Sequence, residues 1–144
     1  MSIKKLLAAA FCLSALFFSF NANAQIDELT AAKRAQRKNL IVKEWNTDAR
    51  TKTRWMDRVT TYDEQGRKIE EIEYAQYGQK WRETYEYGEN EKIVKEVLYD
   101  DKNKPTLIRK YEYNSENKKT KQYNYAPNGK LLTIKVFEYI IDEQ

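Results

Sequence analysis

Twenty-two Asp and Glu side chains and not one histidine set the limits on the chemistry open to this chain. Without imidazole, the usual general base, proton shuttle and metal ligand are missing. Ser115 is the only serine after residue 24 and falls in a turn-like stretch, while the one cysteine, Cys12, lies near the N-terminus. Ser-His and Cys-His nucleophiles are therefore excluded. A pair of carboxylates acting as acid and base, as in glycoside hydrolysis, remains. The pattern speaks against it, because nearly every Glu alternates with an apolar or aromatic neighbour, as solvent-facing strand residues do. Asp100, Asp101 and Asn103 offer oxygens that suit calcium, yet a turn needs the same residue types. The expectation is a protein that is not an enzyme and uses no cofactor or metal.

The aromatic residues are the better candidates for a site. Tyr85/Tyr87, Tyr111/Tyr113, Tyr123/Tyr125 and Phe137/Tyr139 are spaced aromatic-x-Tyr, and Trp81 precedes the first pair. Planar rows flanked by Lys and Glu can stack on sugar rings or hold an extended partner. The same rings also make cross-strand pairs that stabilise a sheet by roughly 0.2 to 1 kcal/mol each. Interleaved aromatic and basic residues are found on single-strand nucleic-acid platforms too. Here the formal charge is only +4, and loss of Lys4 and Lys5 with an N-terminal signal lowers it to +2. So weak a field does not favour nucleic acid as a partner.

A repeated turn must position these rings. Tyr62, Tyr74, Tyr87, Tyr99, Tyr113 and Tyr125 recur at intervals of 12, 13, 12, 14 and 12 residues, and Tyr139 follows 14 later. Each of the first six is followed by a polar stretch with Gly66, Gly78, Glu91, Asn103, Asn117 or Gly129 at the fourth place, then a basic residue. In Tyr125-Ala126-Pro127-Asn128-Gly129-Lys130, Pro127 and Asn128 suit the centre of a type I turn and Gly129 the left-handed position after it. That is a three-residue hairpin loop, and six in succession imply an antiparallel meander. Trp45 to Arg50 reads as a decayed copy, between a strand over Leu40 to Trp45 and a long one over Arg50 to Tyr62.

In this register Tyr125 opposes Leu131, Tyr87 opposes Ile93, Tyr99 opposes Pro105 and Tyr113 opposes Lys119. Continued inward, it opposes Tyr85 to Lys95 and Tyr111 to Lys121. Even intervals keep successive tyrosines on one face of a sheet. The odd interval from Tyr74 to Tyr87 calls for one extra loop residue between Ala75 and Gln79, which pairs Tyr74 with Trp81. The expected aromatic face holds Trp81, Tyr85, Tyr87, Tyr99, Tyr111, Tyr113, Tyr123, Tyr125, Phe137 and Tyr139, with Val97 and Leu131 among them. The opposite face carries Glu73, Glu86, Glu112 and Glu138 with apolar patches at Val94, Leu98, Ile108, Leu132, Ile134 and Val136.

Residues 1–24 have the form of a secretory signal: Lys4 and Lys5, an apolar run from Leu6 to Phe20, and Ala22-Asn23-Ala24 at a cleavage point. That run is short of the roughly 20 residues that span a bilayer. A mature chain from Gln25 contains no cysteine, so its stability rests on packing. It holds all 11 Tyr and all three Trp. Such residues bury large areas while keeping a polar tip wet, which suits a thin structure. Asp27 can cap a short helix towards Lys38. The organisation expected is signal peptide 1–24, helix or linker 25–39, and a repeat β-sheet domain 40–144.

At Tyr62-Asp63-Glu64-Gln65-Gly66-Arg67, and more loosely at Tyr99-Asp100-Asp101-Lys102-Asn103-Lys104, the chain resembles the YD repeats of the bacterial Rhs family. It is also similar to small exported bacterial proteins of unknown function that carry such hairpins. The resemblance covers residues 45 to 139 and implies β-hairpins in series. In the family such repeats build far larger shells around toxins, and YD repeats are associated with carbohydrate binding.

The fold expected is all-β: an antiparallel meander of about seven or eight strands in one open or curled sheet, preceded by a short helix. A membrane-spanning barrel needs a continuously apolar face, which neither face offers. The function expected is that of an exported, periplasmic or extracellular, non-catalytic binding module contacting glycan or envelope protein through the aromatic face. The alternatives are a self-associating sheet protein, hence a homo-oligomer, and a small barrel holding an apolar ligand.

Overall fold

The computed structural model describes residues 22–141. A helix, α1 (Ala22–Ala35), precedes eight strands: β1 (Ile41–Thr47), β2 (Arg54–Tyr62), β3 (Lys68–Ala75), β4 (Gly78–Tyr87), β5 (Ile93–Tyr99), β6 (Pro105–Tyr113), β7 (Lys119–Tyr125) and β8 (Leu131–Val136). They form one sheet in sequence order, every neighbouring pair antiparallel. The all-β meander read from the turns is thus the fold, and its sheet is open, with β1 and β8 as edges. The signal segment lies outside the described residues except for Ala22 to Ala24, which begin α1. The helix starts and ends earlier than Asp27 to Lys38, so Asp27 lies inside it, and a turn over residues 36–39 follows in which Asn39 is left-handed at φ 52°. The chain is then tied to the sheet by Asn39 N–H donating to the Asp63 carbonyl and Tyr62 N–H to the Leu40 carbonyl, both at 2.9 Å.

Five turns share one geometry. Asp63, Gly88, Asp100, Asn114 and Ala126 each donate their N–H to the carbonyl four residues on and accept at their own carbonyl from the residue three on. That third residue is Gly66, Glu91, Asn103, Asn117 or Gly129, and all five have φ between 57° and 87°. Glycine and asparagine tolerate this region best, which is why they recur there. Where Asp or Asn follows the tyrosine, its Oδ1 braces the loop: Asp63 accepts from Gln65 and Arg67 N–H, Asp100 from Lys102 and Lys104, Asn114 from Glu116 and Lys118. The Tyr-Asp dipeptide thus has a physical role, since one oxygen holds two amides that the loop leaves without backbone partners.

Two connections depart from the expected turn. The β1–β2 hairpin closes at Asp48 to Thr53 with Lys52 left-handed, not at Trp45 to Arg50. Between β3 and β4, Ala75 pairs with Gly78 across a two-residue turn, Gln76 and Tyr77. Tyr74 faces Gln79, and Trp81 faces Glu73, so the expected Tyr74–Trp81 pair does not form. The odd tyrosine interval comes from a shorter turn followed by a longer strand, not from an added loop residue.

The larger departure is a bulge inside every hairpin. Tyr87 pairs with Ile93 but Glu86 with Lys95, which leaves Val94 as an extra residue. Ile69, Thr106, Thr120 and Leu132 are the extra residues at the corresponding places. An inserted residue shifts pairing by one and exchanges the two faces beyond it. Tyr85 therefore opposes Glu96, not Lys95, and Tyr111 opposes Gln122, not Lys121. The outer pairs Tyr87–Ile93, Tyr99–Pro105, Tyr113–Lys119 and Tyr125–Leu131 are as expected. With a single layer there is almost no core: among the described residues only Val97 and Tyr111 are buried apolar side chains, and Thr60 is the buried polar one.

Candidate functional site

Because each hairpin exchanges faces once, turn tyrosines separated by an even interval alternate between the two sides. Following the pairing, Tyr62, Tyr87, Tyr113 and Tyr139 share one face, called the front, with Trp81, Tyr85, Tyr111 and Phe137. Tyr74, Tyr99, Tyr123 and Tyr125 lie on the back with Val97 and Leu131. The nine candidate aromatics thus divide: Trp81, Tyr85, Tyr87, Tyr111, Tyr113, Phe137 and Tyr139 in front, Tyr123 and Tyr125 behind. Leu98 and Glu73, expected opposite the tyrosines, are in front, whereas Glu86, Glu112, Ile108, Ile134 and Val136 are behind.

On the front, the turn tyrosines cap gaps in the hydrogen-bond ladder. The last β5–β6 pair at that end is Lys95–Lys110, so the Ile93 carbonyl lies beyond it. The Tyr113 hydroxyl donates to it at 2.7 Å. Tyr87 does the same for Lys68 and Tyr139 for Lys119, both at 2.8 Å. At these three places the bulge leaves the first carbonyl of a strand without a ladder partner, and the next hairpin at that end supplies one. Sequence reasoning assigned these rings to a ligand and missed their hydroxyls, although their recurrence at every second turn was the available signal.

Inward of this row, Tyr111 donates to Glu96 Oε2 at 2.5 Å and Tyr85 to Glu83 at 2.9 Å. Both carboxylates hold one Arg109 Nη1, each at 3.3 Å. Burial, then the bonded carboxylate, pushes both phenols above their ordinary range, so they remain donors at neutral pH. Cations cover the rings: Lys68 lies 4.6 Å from the Tyr85 centroid, Lys119 3.5 Å from Tyr111, and Arg67 4.8 Å from Tyr87. Burial lowers the Lys119 pKa. The front is thus a lattice of ion pairs and capped rings, and at its Tyr62 corner Arg37, in the turn after α1, lies 5.4 Å from the Tyr62 ring.

The back differs. Tyr123 and Tyr125 stack with centroids 6.5 Å apart and planes at 27°. Val97 and Ile108 face each other beside Tyr125, and Leu131, Ile134 and Val136 extend the apolar strip to the β8 edge. Ile134 and Val136 are 51% and 60% exposed. A shallow pocket beside the strip is lined by Val94, Lys95, Lys110, Glu112, Tyr123 and Tyr125. Glu86–Lys95 at 2.7 Å and the Tyr123 hydroxyl on Glu112 at 2.9 Å border it with polar groups. An aliphatic centre with aromatic anchors and a charged rim is the anatomy of a protein-docking surface.

Asp100, weighed above as a calcium ligand, spends Oδ1 on two loop amides. Among the described residues no helix is long and apolar enough to cross a membrane.

No family model and no curated protein matches the chain. Among solved structures it is similar to TarM, at 15% identity and a TM-score of 0.35, over 75% of this chain and 23% of that one. A mutant S. aureus TarM in complex with Fondaparinux, alpha-GlcNAc-glycerol and UDP matches at 15% identity and a TM-score of 0.34, over 74% and 23%. A GtfA/B complex bound to UDP and GlcNAc matches at 13% identity and 0.31, over 65% and 19%. The chain spans under a quarter of each. Likeness at this level does not extend to activity or ligand.

Proposed function

We propose that the protein is an exported, non-catalytic binding module of the cell envelope or exterior that holds a protein partner against the back of its sheet. The observation that carries this reading is the strip of exposed Leu131, Ile134 and Val136 beside half-buried Tyr123 and Tyr125, which no second layer covers among the described residues. The aromatic rings of both faces are already engaged. Tyr85, Tyr87 and Tyr111 in front lie under cations and bond through their hydroxyls. On the back Arg82 lies 4.1 Å from the Tyr99 centroid and Lys110 5.6 Å from Tyr125, which disfavours sugar stacking and leaves the aliphatic residues of β8 as the uncovered surface. Glu83 and Glu96 share Arg109 and each accept a phenol, an arrangement that suits a structural brace better than an acid-base pair. The apolar run after Lys4-Lys5 and the Ala22-Asn23-Ala24 site support export.

The test takes the partner recovered by pull-down from the native envelope and titrates it against three folded forms. Tyr123→Ala should weaken binding by about 1 kcal/mol or more, and Glu44→Ala, on the front of β1, should not. Equal affinities for the two variants, or capture by purified envelope polysaccharide alone, refute protein docking at this strip. Intact mass of the exported chain settles export, because a protein beginning at Gln25 is expected and one retaining Met1 to Ala24 contradicts it.

A further inference from the structure

We infer that β8 is the contact between two copies of this chain, pairing antiparallel with β8 of the second copy about a two-fold axis at Ile134. The inference concerns the sheet edge and stands whether or not the back strip binds a protein.

Phe137 N–H donates to the Thr120 carbonyl at 3.0 Å, and the register from there to Asn124–Thr133 is continuous. Hydrogen-bonded and non-bonded pairs alternate along an antiparallel ladder. The N–H and C=O of Phe137, Lys135 and Thr133 thus point at β7, and those of Val136 and Ile134 point off the edge, as does the Leu132 carbonyl, which lies opposite the Thr133 N–H across a trans peptide. After β8 the chain keeps to the β7 side, since Tyr139 bonds the Lys119 carbonyl. The outer edge of β8 is open among the described residues.

An exposed edge is a template for another strand, and natural sheets guard theirs with charge, proline or distortion. The β1 edge is guarded: Lys43 and Glu44 sit in mid-strand, and the bulge at Asp57 bends the β1–β2 pair. β8 reads Leu-Leu-Thr-Ile-Lys-Val. Its one charge, Lys135, projects to the front and lies 5.1 Å from the Phe137 ring.

The strand is also complementary to itself. A two-fold axis normal to the sheet at Ile134 keeps each face on its own side. It places Ile134 against Ile134, Leu132 against Val136 and Thr133 against Lys135. The residues along this outer edge, Leu132, Ile134 and Val136, are apolar and meet apolar residues, which suits cross-strand pairing. No like charges oppose each other, and the exposed flanks bring Lys130 near Glu138 of the other copy. A contact of the same patch with itself closes at two copies. The joined sheet would also carry the two back strips side by side.

The experiment is sedimentation equilibrium of the chain as purified, from micromolar to submillimolar concentration, with melting curves to confirm folding. A monomer–dimer equilibrium that stops at two copies is expected. Ile134→Lys and Ile134→Glu each place like charges on the axis while leaving the inward bonds to β7 intact, and each should weaken dimerisation by about tenfold or more. Mixing the two should restore a dimer of one copy of each. A monomer at all concentrations overturns the proposal. So does a mass that grows beyond two copies, as β8-to-β1 polymerisation gives, or single variants that dimerise as well as their mixture.

Discussion

Removing the Tyr113 hydroxyl tests the reading that front tyrosines close gaps in the ladder. Tyr113→Phe keeps the ring and its place against Lys119 and deletes only the 2.7 Å bond to the Ile93 carbonyl. A hydrogen bond of this kind is worth about 1 kcal/mol net, and a partner left buried without replacement raises the loss towards roughly 2 to 3 kcal/mol. Tyr113 and Ile93 are half-buried, so water reaches the freed carbonyl only in part. The expected loss is about 1 to 2 kcal/mol. Tyr139→Phe breaks the same bond to Lys119, but Tyr139 is 54% exposed and water takes the hydroxyl's place. Its loss should be under about 0.5 kcal/mol. Urea melts at two probe wavelengths give both values, provided the transitions coincide and slopes are unchanged. A Tyr113→Phe loss as small as that expected of Tyr139→Phe, under about 0.5 kcal/mol, would show that the hydroxyls do not close the ladder and that the aromatic rings alone matter.

Two further outcomes follow from the turns. Gly129→Val, at φ 87°, should cost about 1 to 3 kcal/mol, whereas Glu91→Gly, at φ 57°, should be neutral or stabilising. The exposed Arg34 ion pair that Glu91→Gly removes is worth little, and equal melting shifts would contradict the turn geometry. Asp100 titrates below its ordinary value of 3.8, first because the Lys104 amide bonds it and then, against the opposing effect of burial, because the Lys102 amide does. A carboxyl depressed in the folded state stabilises above its unfolded pKa, and that contribution disappears as pH falls through the folded value. Asp100→Asn, which copies the bonds Asn114 already makes, should leave stability at pH 7 nearly unchanged and flatten its decline on acidification. An acid melting profile identical to that of the parent chain would remove Asp100 from the account.

The fold was legible because turn chemistry is local. Pro127, Asn128 and Gly129 state their dihedral preferences within six residues, and most of the other copies repeat them, so strand number, antiparallel order and the outer pairs at Tyr87, Tyr99, Tyr113 and Tyr125 follow. The division of the aromatics was not legible, because it depends on one unpaired residue per hairpin with no special chemistry of its own. Ile69, Val94, Thr106, Thr120 and Leu132 are ordinary strand residues. Only the doublets Ile93-Val94 and Leu131-Leu132, which break the alternation of apolar and polar positions, point to the bulge, and both can equally be taken for a strand buried on both sides. The tight turn at Gln76-Tyr77 was hidden for a related reason: Gly78 stands where the repeat puts its glycine, but at φ 124° it serves a different loop.

The bulge also explains how so short a repeat makes a sheet with two unlike sides. Strands of even period with no bulge would put every turn tyrosine on one face, at both ends of the sheet, and leave the other face to Glu and Lys. One extra residue per hairpin sends successive tyrosines to opposite faces, and successive turns already lie at opposite ends. Each face thus receives its turn tyrosines at one end only. At the front end three of them reach the carbonyls that the bulges leave open, so the irregularity and its remedy recur with the same period. The front is then committed to holding a coreless sheet together. The back near β8, whose turn lies at the other end, leaves the aliphatic residues of the edge strand in the open beside the half-buried Tyr123 and Tyr125, and that is the surface left over for a partner.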